Sequence, residues 1–149
     1  MSTAQSIDAF LDNPAIAVVG VSGSGKGFGN TACRALRTKG YRVYPVNWSS
    51  PTVDGVRCCG SLHELPERVK AVLIVVPPAQ AVHVVRDAAA AGIRHVWLQQ
   101  GAESPEALRL CDELRLNLIA GECILMFAQP NGIHAFHRWV RSFTHGLPA

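Results

Sequence analysis

Residues 18–30 read VVGVSGSGKGFGN and combine the end of an apolar run, five glycines and a lysine. Counted from Gly20, the stretch follows the G-x-x-x-x-G-K spacing of a nucleotide-triphosphatase loop, but Gly27 stands where that loop needs Ser or Thr to hold Mg²⁺. Such enzymes also carry an acidic residue at the end of a later strand. The best candidate strand here, residues 71–76, is followed by Pro77 and Pro78. The stretch therefore predicts a phosphate-binding loop without nucleotide hydrolysis.

Glycines between a predicted strand and a predicted helix allow backbone N–H groups to approach a pyrophosphate, and the helix N-terminus adds a favourable dipole. An NAD fingerprint would need the spacing G-x-G-x-x-G and an acidic residue after the second strand. The glycine spacing differs, and the second predicted strand, residues 43–46, is followed by Asn47. An NAD(P)-binding oxidoreductase or redox-sensing domain stays as the alternative, disfavoured by the missing acid. A purely structural glycine-rich turn is the other interpretation left open.

Five short apolar runs predict the strands of one sheet. They are continuous rather than alternating, which is typical of parallel strands buried on both faces, and they cover residues 16–19, 43–46, 71–76, 96–98 and 118–120. Helical patterns lie between them over residues 31–39 and 79–91, each followed by a glycine. This alternation predicts an α/β fold: a Rossmann-like, open, mostly parallel five-stranded sheet with helices on both faces. We expect residues 1–149 to form a single domain.

A further helical pattern begins at Ser104, which supplies an N-cap and is followed by a proline. Four apolar residues of this pattern are predicted to share one face: Ala107, Leu108, Cys111 and Leu114. Cys33 lies on another predicted helix face, and we expect both of these cysteines to be buried apolar thiols.

Three more patterns complete the predicted helices. Residues 6–11 lead into the first strand, and a capping box at residues 61–64 predicts one short turn. Residues 131–145 form an amphipathic pattern, for which we expect a C-terminal helix that closes the fold. A partner-binding module built on Trp139 of the same helix is the alternative.

The composition bounds the partners and the compartment. The net charge is +3 and the basic residues are scattered, so nucleic acid is not expected as a partner. The longest apolar run, residues 71–76, is far too short to span a bilayer, so no membrane partner is expected. The five cysteines include no C-x-x-C, which predicts a reducing, cytoplasmic environment, no disulfide framework and no metal site.

Several stretches together resemble the CoA-binding domain family, small Rossmann-like bacterial proteins related to the N-terminal domain of the succinyl-CoA synthetase α subunit. They follow the family's order from about residue 14 to residue 126. The matching stretches are IAVVGVSGS, GYRVYPVN, SLHELPERVKAVLIVVPP, AAAAGIRHVWLQQGA and LIAGECIL. The resemblance implies that CoA or an acyl-CoA lies across the carboxyl ends of the strands, the edge at which open α/β sheets bind ligands.

The resemblance also implies which residues contact the ligand. The phosphates would lie at the glycine-rich loop, the nucleotide after the second strand, and the rest of the ligand along the later strand ends. In chain order these positions are Gly20, Ser22, Gly23, Ser24, Lys26, Asn47, Trp48, Val76, Pro77, Gln99, Gly101 and Cys123. For Cys123 a packed strand-end thiol is favoured over a redox role.

No catalytic residue is expected from the resemblance. Ligases that use such a domain bring the phosphorylated histidine and the grasp domain from elsewhere, and 149 residues leave no room for them. Glu122 stands where relatives commonly carry arginine, and an acid there must point away from a polyanionic ligand. The sequence thus predicts a non-catalytic protein that binds CoA or an acyl-CoA, and it leaves a homodimer open.

Overall fold

Strands and helices alternate along the chain as the sequence predicts, except in the connection between residues 46 and 71. The structure is a computed structural model that describes residues 3–127. The elements are α1 (Ala4–Leu11), β1 (Ala15–Val19), α2 (Phe28–Thr38), β2 (Arg42–Val46), β3 (Thr52–Val53), β4 (Val56–Arg57), β5 (Ala71–Ile74), α3 (Pro78–Ala90), β6 (His95–Leu98), α4 (Pro105–Glu113) and β7 (Asn117–Ala120). Short 3-10 turns also occur at Leu62–Glu64 and Ile124–Met126.

One five-stranded sheet carries the fold. Its strands are all parallel and lie in the order β2-β1-β5-β6-β7. Because the chain adds β2 on one side of β1 and then β5 on the other, the direction of winding reverses between β1 and β5. Open α/β sheets bind ligands at such a reversal, outside the carboxyl ends of the strands. The predicted Rossmann-like α/β class is confirmed.

Helices cover both faces of this sheet. Val18 of β1 is buried in a core formed with α1 and α2, whereas Ala17 of the same strand is buried in the core formed with α3 and α4. Strands buried on both faces need apolar residues throughout, which explains the continuous runs. The thiols of Cys33 and Cys111 are buried as predicted, and this burial raises the pKa of each to about 11.

Trp97 of β6 ties the end of the described chain to its beginning. Its fully buried ring makes edge-to-face contacts with Phe10 of α1, at 5.2 Å between ring centroids, and with Phe127, at 5.5 Å. The indole Nε1 donates a hydrogen bond of 3.1 Å to the carbonyl oxygen of Glu122. The one polar atom of the buried ring therefore has a hydrogen-bond partner, and the segment after β7 is held against β6.

Two element boundaries differ from the prediction for local reasons. Strand β5 ends at Ile74 rather than at residue 76, shortly before Pro77, which has no N–H to continue a strand ladder. Helix α2 begins at Phe28, three residues before the predicted start at residue 31. Its earlier start follows from the carbonyl of Gly27, which accepts a 3.1 Å hydrogen bond from the N–H of Thr31.

The apolar face predicted for α4 includes one residue that lies beyond the end of the helix. Ala107 and Cys111 are fully buried, but Leu114 is 38% exposed. The helix ends at Glu113, and the chain turns away after Leu114, with Arg115 at a φ of +56°. An apolar period can therefore run past the residue at which a helix ends.

A hairpin between β2 and β5 was not predicted. Asp54 and Gly55 join β3 to β4 at φ values of +52° and +75°, as in the type I′ turns that Asp-Gly favours. The following segment runs beside β2, where the N–H of Cys59 donates to the carbonyl of Pro45 and the N–H of Asn47 donates to the carbonyl of Cys59, both at 2.9 Å. The connection between β2 and β5 therefore forms hydrogen bonds along the outer side of strand β2.

The short predicted helices are present near the expected places. One is α1, and the other is the 3-10 turn at Leu62–Glu64, where the hydroxyl of Ser61 accepts a 3.3 Å hydrogen bond from the N–H of His63. The predicted helix over residues 131–145, with Trp139, lies outside the described residues. Within residues 3–127, no helix combines the length and apolar character needed to cross a membrane.

Candidate functional site

The glycine-rich loop leaves the sheet through a close contact between main chains. Gly20 follows β1 with a φ of +114°, and a Cβ placed on it would lie 1.9 Å from the carbonyl oxygen of Val75. A Cβ on Gly29, in the first turn of α2, would lie 2.5 Å from the carbonyl oxygen of Gly20. Both positions require glycine, because a side chain would displace main-chain atoms. The ends of β1 and β5 and the start of α2 are thereby fixed together.

Asn30 holds the first half of the loop from inside. Only 1% of this residue is exposed; its Oδ1 accepts a 2.8 Å hydrogen bond from the N–H of Ser22, and its Nδ2 donates at 3.0 Å to the carbonyl of the same residue. Sequence reasoning missed this role. The available signal was a polar residue at the start of a helix that otherwise packs on the sheet.

The second half of the loop folds onto its own serine hydroxyls. The hydroxyls of Ser22 and Ser24 lie 2.7 Å apart. The N–H of Ser24 donates to the Ser22 hydroxyl at 3.2 Å, and the N–H of Lys26 donates to the Ser24 hydroxyl at 3.3 Å. These two predicted phosphate contacts therefore also shape the loop.

The start of α2 is suited to an anion. Its N-cap, Gly27, has a φ of +131° and supplies no side-chain hydrogen bond to the first turn. First-turn N–H groups have no acceptor within a helix and carry the positive end of its dipole. Lys26 is exposed next to them. Backbone donors and an exposed lysine thus stand next to each other in the chain, at a helix start that suits a phosphate.

The segment after β2 forms a wall beside the loop. Asn47 donates from Nδ2 to the carbonyl of Val21 at 3.0 Å, while its Oδ1 accepts from the N–H groups of Ser49 and Ser50 at 2.8 and 3.0 Å. Its amide therefore fastens the wall to the loop. Trp48 next to it is 87% exposed, so an indole face is available for stacking at this end of the edge.

A crevice of about 250 Å³ lies between the carboxyl ends of β5 and β6. Four predicted residues come together in its lining: Val76, Pro77, Gln99 and Gly101. Gln99 is 6% exposed, and its Oε1 accepts a 3.0 Å hydrogen bond from the N–H of Ile124. The floor of the crevice is thereby tied to the segment after β7.

Cys123 lies at the far end of the same edge. It precedes the 3-10 turn at Ile124–Met126, and its side chain is free and half-buried. Between β1 and β7 there are three strand spacings, roughly 14 Å in all. The predicted residues therefore line one edge in a defined order: the wall after β2, the loop after β1, the crevice after β5 and β6, and Cys123 after β7.

An ion pair at the outer side of the loop was not foreseen. Arg34 of α2 donates from Nη1 to Oδ2 of Asp54 at 2.7 Å and to the carbonyl of Gly25 at 3.4 Å. Asp54 belongs to the β3–β4 hairpin, whose tip thus lies against the loop. The Asp-Gly pair between two β-branched residues was the signal for that hairpin.

A larger cavity, of about 410 Å³, lies away from these residues, beside β2. Cys58 and Cys59 line it, and burial is the main cause that raises the pKa of both thiols. Such thiols are poorly ionised near neutral pH and therefore weakly nucleophilic. The anion-binding groups lie at the carboxyl edge, and we place the candidate site there.

Comparison with known proteins gives a family for this arrangement. The family model of the CoA binding domain matches residues 14–129. The α subunit of an ADP-forming acetate–CoA ligase II from Pyrococcus furiosus is 26% identical over 129 residues, which cover 79% of this chain and 28% of that subunit. The chain therefore spans less than a third of that relative's length.

Solved structures show the same fold. A conserved hypothetical protein from Pyrococcus furiosus is 36% identical, with a TM-score of 0.71 over 75% of this chain and 97% of that one. A dinucleotide-forming acetyl-coenzyme A synthetase 1 from Ca. Korarchaeum cryptofilum, in complex with phosphate and ADP, is 28% identical, with a TM-score of 0.64 over 72% of this chain and 26% of that one.

Two alanine substitutions separate packing glycines from exposed ones. Gly20→Ala should lower the free energy of unfolding by on the order of 2–4 kcal/mol, because its Cβ collides with main-chain atoms at a positive φ. Gly23→Ala is the matched control, since its φ is not positive and its Cβ meets side-chain atoms alone, the hydroxyl of Ser50 at 2.2 Å, which can rotate away, and the Cβ of Ser50 at 3.3 Å. Urea unfolding measures both, and equal losses would contradict the contact at Val75.

Proposed function

The chain belongs to the CoA-binding domain family, and from this premise we propose that it binds CoA or an acyl-CoA across the carboxyl edge of its sheet without a catalytic step of its own. The observation that carries the proposal is the loop at residues 20–27. It contains an exposed lysine and leads into a helix start without a side-chain cap, at the point where the winding of the sheet reverses. Diphosphates bind to such loops through main-chain donors.

The proposed ligand lies along the edge in one direction. Its diphosphate binds over the loop next to Lys26, and its adenine stacks on Trp48. The pantetheine arm then follows the crevice between Pro77 and Gly101, where apolar walls and main-chain groups suit a flexible chain with two amides. The thiol end approaches Cys123 at the far side of the edge.

The absence of catalysis in this proposal rests on the residues that stand at the relevant positions. Gly27 offers no hydroxyl for Mg²⁺ next to Lys26, and apolar Val75 and Val76 follow β5 where a nucleotide triphosphatase carries an acid. Asn47 stands where NAD-binding loops carry an acid for the ribose, and its Oδ1 already accepts hydrogen bonds from the protein. These positions support CoA over ATP and over NAD.

Ligand selectivity is the direct test. In calorimetric titrations CoA should bind at least roughly tenfold more tightly than NAD or ATP, a difference of about 1.4 kcal/mol. The same protein supplied with Mg²⁺ and ATP should release no phosphate above a blank without protein. Equal or tighter binding of NAD would reject the ligand, and sustained phosphate release would reject the non-catalytic role.

The placement of the ligand is tested by removing one positive charge at the carboxyl ends of the strands and, in a separate variant, one at their amino ends. Lys26→Gln should weaken CoA binding by roughly three- to tenfold, since an exposed charge-assisted contact is lost. Lys70→Gln is the control, because Lys70 is also exposed but precedes β5 at the opposite edge. Gly60→Val, which narrows the cavity beside β2, should also leave the affinity unchanged. Binding that responds to Gly60 and not to Lys26 would move the ligand to that cavity.

A further inference from the structure

The Arg34–Asp54 pair spans the outer turn of the glycine-rich loop. Besides Asp54 and the carbonyl of Gly25, the guanidinium contacts the hydroxyl of Thr31 at 3.5 Å. A Cβ on Gly25 would lie 2.9 Å from Oδ1 of Asp54, so the carboxylate is in near contact with the loop itself. A cation and an anion therefore lie side by side next to the proposed diphosphate position.

Stability gives little reason for an acid at this place. The two side chains are 50% and 32% exposed, and ion pairs of this kind contribute about 0–1 kcal/mol to folding. A carboxylate beside a loop whose donors attract anions also opposes the approach of a polyanion. The arrangement becomes favourable for binding if the ligand exchanges the carboxylate for one of its own phosphates.

We propose that Arg34 is a phosphate-binding residue of this site and that a phosphomonoester of the nucleotide takes the place of the Asp54 carboxylate on its guanidinium. This inference rests on the proposed function, because the nucleotide must first lie on the loop. Carboxylate and phosphate both present paired oxygens to the fork of N–H groups of an arginine, so one can replace the other. In CoA the group is the 3′-phosphate of the ribose, which dephospho-CoA lacks.

The course of the chain supports this placement. After β2 it passes Trp48, then Ser50, whose hydroxyl faces Gly23, and then Asp54, which faces Gly25. A ribose that joins an adenine on Trp48 to a diphosphate on the loop lies along this segment. Its phosphomonoester therefore reaches the side of the loop on which Arg34 lies.

The readout is the preference for CoA over dephospho-CoA, measured as the dissociation constant of dephospho-CoA divided by that of CoA. Arg34→Gln should bring this ratio close to one by weakening CoA binding roughly tenfold, the loss of a hydrogen bond to a charged group. Asp54→Asn should raise the ratio roughly threefold, because the competitor for Arg34 loses its charge. Asparagine tolerates a positive φ, so the hairpin turn is retained.

The chain offers a matched control in a second exposed ion pair. Arg42 and Glu67 lie 2.8 Å apart with 56% and 32% of their side chains exposed, and Arg42 begins β2 at the opposite edge of the sheet. Arg42→Gln should leave the ratio unchanged. In the Arg34→Gln background, Asp54→Asn should no longer raise the ratio, which identifies the two residues as a coupled pair.

Each result separates this inference from the function on which it rests. If wild-type protein binds neither ligand, the proposed function fails and the inference fails with it. If wild-type protein binds both ligands equally, or if Arg34→Gln weakens both by the same factor, CoA-type binding stands and the role of Arg34 is overturned. A lower ratio in Asp54→Asn would likewise show that the carboxylate does not compete with the ligand.

Discussion

Contact between main-chain atoms at Gly20 is the constraint on which the rest of the site depends. The carbonyl of Val75 occupies the space in which a side chain of residue 20 would lie, and Gly29 closes the same junction from the helix side. This contact joins β1 to β5 at the reversal of the sheet, so the loop emerges where two crossovers run in opposite directions. The position of the loop is thus set by tertiary packing up to Ser22, whose N–H and C=O are both held by Asn30.

Side chains and main chain have different tasks in this arrangement. The amides of Asn30 and Asn47 face the protein and hold the loop by its own N–H and C=O groups. Main-chain donors of the helix start are thereby left for an anion, and Lys26, Arg34 and the exposed face of Trp48 add side chains on the outer surface. A site of this kind depends on backbone shape, and its affinity should respond more to changes in the supporting amides than a list of contact residues suggests.

Two-sided burial made the strands and the fold class predictable, because it requires apolar residues without alternation and leaves a clear signal in sequence. The local contacts of the site left no such signal. Gly20 and Val75 are far apart in the chain, so the reason for glycine at residue 20 is visible only when both strand ends are placed. The same holds for Asn30, whose partner is eight residues away across a turn, and for Asp54, whose partner Arg34 lies on another element. The prediction for Leu114 differed for the opposite reason, since the apolar pattern continued beyond the residue at which the helix ends.

Volume alone would place the ligand elsewhere. The cavity beside β2 is larger than the crevice at the carboxyl edge, and it is lined by Tyr44, Cys58 and Cys59. An elongated polyanion is bound by hydrogen-bond donors spread along its length, because each phosphate needs hydrogen bonds in place of those it loses to water. The carboxyl edge offers such donors at a helix start, between an exposed indole on one side and a narrow crevice on the other, over strand ends that the sheet holds at fixed spacing. Topology and charge, and not the size of the cavity, therefore favour this edge as the binding surface.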